Sequence, residues 1–182
     1  LRRQRQMCIR DRPQGYPNQY LVISGSGSWS SRLRFCKFAR AYGSSGMVYI
    51  NGELATPIEH NVFLYNAPGC NYGYSSLYCN SYGTCFSTDI RNNLFVFDGE
   101  NCSQHAVYFY IHDYGYTLAD IANNTFVDYS GYDSYPLYYS GSQNMAYGTW
   151  TANIFANCNY PTNAVYVDDP KKNAYYLTGA LY

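Results

Sequence analysis

The chain has 182 residues, 47% of them apolar by a count that includes 24 tyrosines, and only 13% charged, with a formal net charge of zero. This composition excludes a disordered chain and suits one ordered domain. No apolar run approaches the roughly 18 residues a membrane span needs, and no basic segment leading into an apolar core marks a secretory signal.

Residues 1–12, LRRQRQMCIRDR, carry five Arg and one Asp and share no pattern with residues 13–182. They resemble a translated sequencing adaptor and are set aside as a non-native leader, which leaves 13–182 as the domain. The alternative is a basic N-terminal arm, which would suggest nucleic acid. Without these residues seven basic and eleven acidic side chains remain, a net charge of about −4. Such a domain lacks a basic patch for polyanions, so nucleic acid is not an expected partner. The chain opens with Leu1 and stops at Ala180-Leu181-Tyr182 just after a repeat has begun. A piece of a longer protein, incomplete at one or both ends, is the expectation.

The first apolar run, Leu21-Val22-Ile23, heads a series of apolar-Tyr-apolar triplets centred on Tyr49, Tyr78, Tyr108, Tyr138 and Tyr166, at steps of 29, 30, 30 and 28 residues. Alternate residues of a strand face opposite sides, so the flanking apolar residues are expected to point inward and each Tyr outward. Between the first two members, 31–42 (SRLRFCKFARAY) could pass for an amphipathic helix. It also reads as a degenerate repeat in which Leu33, Cys36 and Phe38 match Ile90, Asn93 and Phe95.

A second series runs in phase with the first. IEHNVFLY from Ile58, IRNNLFVF from Ile90, IANNTFVD from Ile121 and WTANIFAN from Trp150 place an Asn-x-Phe unit at Asn61/Phe63, Asn93/Phe95, Asn124/Phe126 and Asn153/Phe155. The steps are 32, 31 and 29 residues. A near-constant period in this range signals a solenoid or propeller. Gly, Asn, Ser and Tyr dominate while Val, Ile and Phe cluster in short runs, so the unit is β-like. Propeller blades usually run longer, and the Leu ladder of leucine-rich repeats is missing. The predicted fold is all-β, a right-handed parallel β-helix of about five to six coils of ~30 residues. In it Ile90 ends one strand facing in, an Asn makes the bend, and Phe95 starts the next. Asn tolerates the left-handed backbone region, and its amide can bond the Asn of the adjoining coil.

These residues resemble the right-handed parallel β-helix repeat proteins of the pectin-lyase-like superfamily, in which I-x-N-N-x-F is a recurring coil signature. The resemblance spans roughly residues 20–182. It implies a secreted or cell-surface location and a choice among polysaccharide lyases, glycoside hydrolases, epimerases, tailspikes and adhesins, which fold alone does not decide. For an enzyme of this kind it also implies a carboxylate cluster on an outer face, often holding Ca²⁺ beside an Arg or Lys base.

The outward positions two residues after each Tyr are Asn51, Asn80, Tyr110, Ser140 and Asp168, which is no acidic cluster. Asp89 and Asp120 should stack in successive repeats and could share a cation; the alternative is a solvated pair near a turn. His112-Asp113 reads as an acid/base pair, half a metal site or a surface loop, and Glu59-His60 and His105 are weaker candidates. No catalytic residue is assigned and no cofactor is evident, with Ca²⁺ reserved for the enzyme reading. The function expected is binding of an extended polysaccharide or cell-surface glycan through Tyr49, Tyr78, Tyr108, Tyr138 and Tyr166, with Asn51 and Asn80 bonding hydroxyls. The alternatives are a polysaccharide lyase or glycosidase whose catalytic coils are absent, and a structural adhesin-type stalk. Six cysteines lie beyond the leader, without a paired CxxC that would suggest zinc. Cys70 and Cys102 fall in equivalent loops, as a disulfide or as buried thiols, and Cys79 reads as a buried thiol.

Overall fold

The computed structural model describes residues 21–24, 32–39, 47–51, 54, 56–65, 74–83, 85–97, 104–131, 134–141, 147–163 and 173–176. These residues form seventeen strands and no helix, and every strand pairing is parallel. The protein is therefore all-β and built from parallel sheets. Cys70 and Cys102, with the disulfide considered for them, lie outside the described residues, as do Tyr166 and Asp168.

The first sheet orders β1 (Leu21–Ser24), β3 (Val48–Asn51), β6 (Tyr74–Asn80), β10 (Gln104–Ile111) and β14 (Tyr135–Gly141). The second holds β4 (Ile58–Glu59), β8 (Ile90–Arg91), β12 (Ile121–Ala122) and β15 (Trp150–Thr151). The third holds β2 (Lys37–Ala39), β5 (Val62–Tyr65), β9 (Leu94–Phe97), β13 (Thr125–Val127), β16 (Ile154–Ala156) and β17 (Ala174–Tyr176). A short pair, β7 (Cys85–Phe86) and β11 (Tyr116–Thr117), completes the set.

The register follows the sequence period. Val48, Leu77, Val107 and Leu137 align across the first sheet, and Leu21 takes the same place one repeat earlier. The described part of segment 31–42, residues 32–39, contributes a strand rather than a helix: Phe38 pairs with Phe63, and Arg34 bridges Glu59. Parallel pairing at equivalent positions stacks like side chains about 4.8 Å apart, which makes a ladder of every inward residue. Phe38, Phe63, Phe95, Phe126, Phe155 and Tyr175 form one such column, with centroid spacings of 5.0, 4.8, 5.1, 5.0 and 5.3 Å. Ile58, Ile90, Ile121 and Trp150 form another, and all four are buried. The inward residues of the first sheet, Val48, Ile50, Leu77, Cys79, Val107, Phe109, Leu137 and Tyr139, close the core against them.

The bend between the second and third sheets divides its labour in a way the sequence reading merged into one Asn. The left-handed residue is the first of the pair, Asn92 (φ 56°) and Asn123 (φ 55°), and its equivalents are Phe35, His60 and Ala152. The second residue, Asn61, Asn93, Asn124 or Asn153, is buried and carries the ladder. Each ladder Asn accepts the backbone N–H of its counterpart one repeat back on Oδ1, as when Asn61 N donates to Asn93 and Asn93 N to Asn124, both at 3.0 Å. Its Nδ2 donates to the carbonyl ending the preceding Ile or Leu position, Ile58 O for Asn93 and Ile90 O for Asn124, each at 2.8 Å. The ladder ends on Cys36 N–H at one side and on Asn173 at the other.

Candidate functional site

On the outward side of the first sheet the triplets have the expected phase: Tyr49, Tyr78, Tyr108 and Tyr138 are partly exposed between buried neighbours. Register places each opposite the next. Their rings stack with centroids 5.2, 4.9 and 5.1 Å apart and interplanar angles of 24°, 12° and 30°. Rings packed at the strand repeat turn their faces to each other and leave no gap for a sugar between them, so the column presents edges and phenol hydroxyls to solvent. Burial, then the neighbouring Tyr108 and Tyr49 hydroxyls, pushes the Tyr78 phenol well above its ordinary range. Tyr108 shifts the same way through burial, opposed by its hydrogen bond with Ser140.

Asn51 and Asn80 stand in line two residues on, with Tyr110 and Ser140 continuing the row. The Asn80 amide is largely committed within the protein. Its Nδ2 donates to Tyr49 Oη (3.1 Å) and Asn51 Oδ1 (3.2 Å), and its Oδ1 accepts the Tyr82 N–H at 3.1 Å. Asn51 remains exposed.

Sequence reasoning undervalued what flanks the column. His105 is buried, stacks on Tyr138 at 4.1 Å, and lies within 6 Å of the Tyr108 ring. Its Nδ1 is 3.3 Å from the Tyr135 carbonyl. Desolvation holds its pKa down at about 4, so at neutral pH it is an uncharged packing element donating one hydrogen bond. On the other flank Tyr110 lies 6.1 Å from Tyr78, 6.4 Å from Tyr82 and 4.1 Å from His112. His112 and Asp113 enter a turn, in which the His112 carbonyl accepts from Gly115 N and Gly83 N.

Asp89 and Asp120 do stack in successive repeats, and both carboxylates cap backbone. Asp89 Oδ1 accepts Asp120 N–H at 3.1 Å, and Asp120 Oδ1 accepts Thr149 N–H and Oγ1–H at 2.8 and 2.9 Å. Among the described residues no three His, Cys, Asp or Glu side chains converge. Two carboxylates already bonded to the chain do not fit the six to eight oxygens Ca²⁺ takes. Glu59 is engaged as well, in an ionic row with Arg34 at 3.7 Å and Arg91 at 3.4 Å, and His60 Nε2 lies 3.9 Å from Glu59 Oε2. Arg91 thus neutralises a carboxylate rather than serving as a base beside a cluster of them. Cys79 is a buried thiol, as its inward position in the triplet suggests.

No protein-family model, curated protein sequence or solved structure matches the chain. No described helix is long and apolar enough to cross a membrane.

Proposed function

We propose that the chain is part of a secreted or cell-surface right-handed parallel β-helix of the pectin-lyase-like kind that binds an extended polysaccharide along the outer side of its first sheet. The observation that carries this reading is the in-register column of Tyr49, Tyr78, Tyr108 and Tyr138, which sets one partly exposed phenol per repeat in line along the sheet. A linear polymer that meets the same donors and acceptors at each step gains affinity by summing many weak contacts. Asn51 and Ser140 widen that row with further polar groups. Affinity electrophoresis of the full chain against a panel of polysaccharides tests it. Retardation should fall when Tyr78→Phe and Tyr108→Phe are combined, a change that keeps the stack and removes two hydroxyls. It should fall further with Tyr78→Ala plus Tyr108→Ala, and unchanged retardation in both double variants rejects the reading.

One observation favours a second reading, a structural stalk. The rings already satisfy each other's faces, and aromatic pairs in register on neighbouring strands stabilise a sheet by roughly 0.2 to 1 kcal/mol each without any ligand. On that reading no polysaccharide retards the chain, while the alanine double variant still loses stability.

A further inference from the structure

The turn after β10 departs from its counterpart one repeat earlier. Asn80 aligns with Tyr110 and Cys85 with Tyr116, so residues 81–84 correspond to residues 111–115, one residue more. The extra residue falls at the tip. Asp113 (φ 48°) and Tyr114 (φ 64°) are both left-handed, and Gly115 N closes the turn on His112 O at 2.9 Å, as in a type I′ turn. Such turns normally carry Gly, Asn or Asp at their centre, and a bulky residue there is strained. Gly115 closes the turn against the neighbouring repeat, where a Cβ would lie 1.5 Å from the Ser81 carbonyl oxygen. Yet Tyr114 is 93% exposed and so gains almost nothing from packing. Backbone strain that holds a large aromatic ring out in solvent is an outlier that points to recognition.

Its surroundings say of what. Tyr82, 53% exposed, precedes Gly83, whose N–H donates to the His112 carbonyl at 2.9 Å, and the Asp113 carboxylate nearby raises the Tyr82 phenol above its ordinary value. The Tyr82 ring lies nearly parallel to Tyr110, at 9°, and Tyr110 in turn neighbours Tyr78, so this corner continues the column. The described cations Arg34, Lys37 and Arg91 all sit on the second and third sheets or their bridges, and Arg32 precedes them in the same segment. Among the described residues of the corner the fixed charge is that of Asp113.

We infer that Tyr82, Asp113 and Tyr114 form a subsite that takes an uncharged sugar ring and rejects uronates. This rests on the glycan-binding reading of the tyrosine column. Unlike the column, the corner has exposed aromatic surface for the C–H face of a sugar, and a carboxylate is a hydroxyl acceptor that repels a second carboxylate.

The full chain is run by affinity electrophoresis through gels holding neutral polymers (hydroxyethylcellulose, galactomannan, arabinoxylan) or anionic ones (carboxymethylcellulose, polygalacturonate, alginate). Retardation is expected with at least one neutral polymer and with none of the anionic ones. Tyr114→Gly should weaken binding roughly tenfold, as loss of an aromatic anchor does, while leaving the urea midpoint the same or higher because the left-handed strain is relieved. Asp113→Asn, which the turn tolerates, should narrow the gap between hydroxyethylcellulose and carboxymethylcellulose. Retardation of the unaltered chain by anionic polymers, or undiminished binding by Tyr114→Gly, overturns the subsite and leaves the tyrosine-column reading standing. A drop in the Tyr114→Gly midpoint makes Tyr114 a structural turn residue and overturns the subsite too. Absence of retardation by every polymer overturns the glycan reading itself and the subsite with it.

Discussion

Asn93 gives Asn124 two hydrogen bonds at once: its backbone N–H and its side-chain Nδ2 both reach Asn124 Oδ1 at 3.0 Å. Asn61 treats Asn93 identically, so the amide oxygens of Asn93, Asn124 and Asn153 each accept twice, and the amide nitrogens of Asn61, Asn93, Asn124 and Asn153 also each secure a carbonyl across the bend. These atoms are buried, and a buried polar group left without its partner costs about 1–3 kcal/mol. Asn93→Ala strands the Asn61 N–H, the Ile58 carbonyl and part of Asn124. A loss of about 3–5 kcal/mol is expected for it, against about 1 kcal/mol for Asn173→Ala at the less buried end of the row. Urea unfolding midpoints of the two variants measure the contrast, and equal losses would show that the ladder adds no stability in the interior.

The residue before each ladder Asn has positive φ whatever its chemistry, and at Ala152 (φ 55°) an ordinary side chain bears the cost. The left-handed region is roughly 1–2 kcal/mol unfavourable for such a residue, while Gly gives back about 0.5–1 kcal/mol through its freer unfolded state. Ala152→Gly is thus expected to stabilise by about 0.5–1 kcal/mol. The same change at Ala122, which lies in β12, should destabilise by a similar amount. Thermal and urea midpoints for the pair test the sign in each direction.

Much of this architecture was legible because the period is carried by buried side chains that must align. Ile90, Asn93 and Phe95 repeat at Ile121, Asn124 and Phe126, and the pairing reproduces those matches residue for residue. Even Leu33, Cys36 and Phe38 held the phase, since a parallel neighbour constrains shape and register more than identity. Tyr82 and Tyr114 were not found, because sequence periodicity marks what repeats and their turn is where the repeat changes length. The step from Asn80 to Tyr110 is shorter by one residue than that from Cys85 to Tyr116, and this is the signal that could have drawn attention to the turn. The column's mutual stacking was hidden for another reason: period and phase place rings in line, but only side-chain geometry decides whether they show faces or edges.

Beside the column the alternation fails at Gln104-His105-Ala106-Val107, four buried residues in succession. Gln104 is 1% exposed, and neither atom of its side-chain amide has a hydrogen-bond partner. Burying an amide without compensation costs about 1–3 kcal/mol. Gln104→Met keeps length and removes the polar atoms, so a gain of about 1 kcal/mol is expected. A loss on this substitution would mean that the amide is satisfied in solution, and the urea midpoint decides between the two.

His105 ties stability to pH from the acid side, and the tyrosines do so from the alkaline side. The imidazole titrates near 6.5 when unfolded but at about 4 when folded, because burial penalises its charged form. Between these values the unfolded chain binds more protons, so stability rises with pH across that window and is lost as pH falls through it. The full span corresponds to about 3 kcal/mol. Tyr78, Tyr108 and Tyr139 have phenols raised by burial above their ordinary value of 10, so the unfolded chain loses those protons first. Their contribution is complete below pH 10 and declines as pH rises beyond it. A plateau of stability between about pH 6.5 and 10 is expected from these groups. Comparison with His105→Phe isolates the acid limb, since Phe can keep the stack on Tyr138 and cannot titrate. The difference in urea midpoint between the two proteins should change between pH 6.5 and 4 and stay constant from pH 7 to 9. A difference independent of pH throughout would mean that His105 accepts its proton while folded, as it would if the aromatic flank opened to solvent.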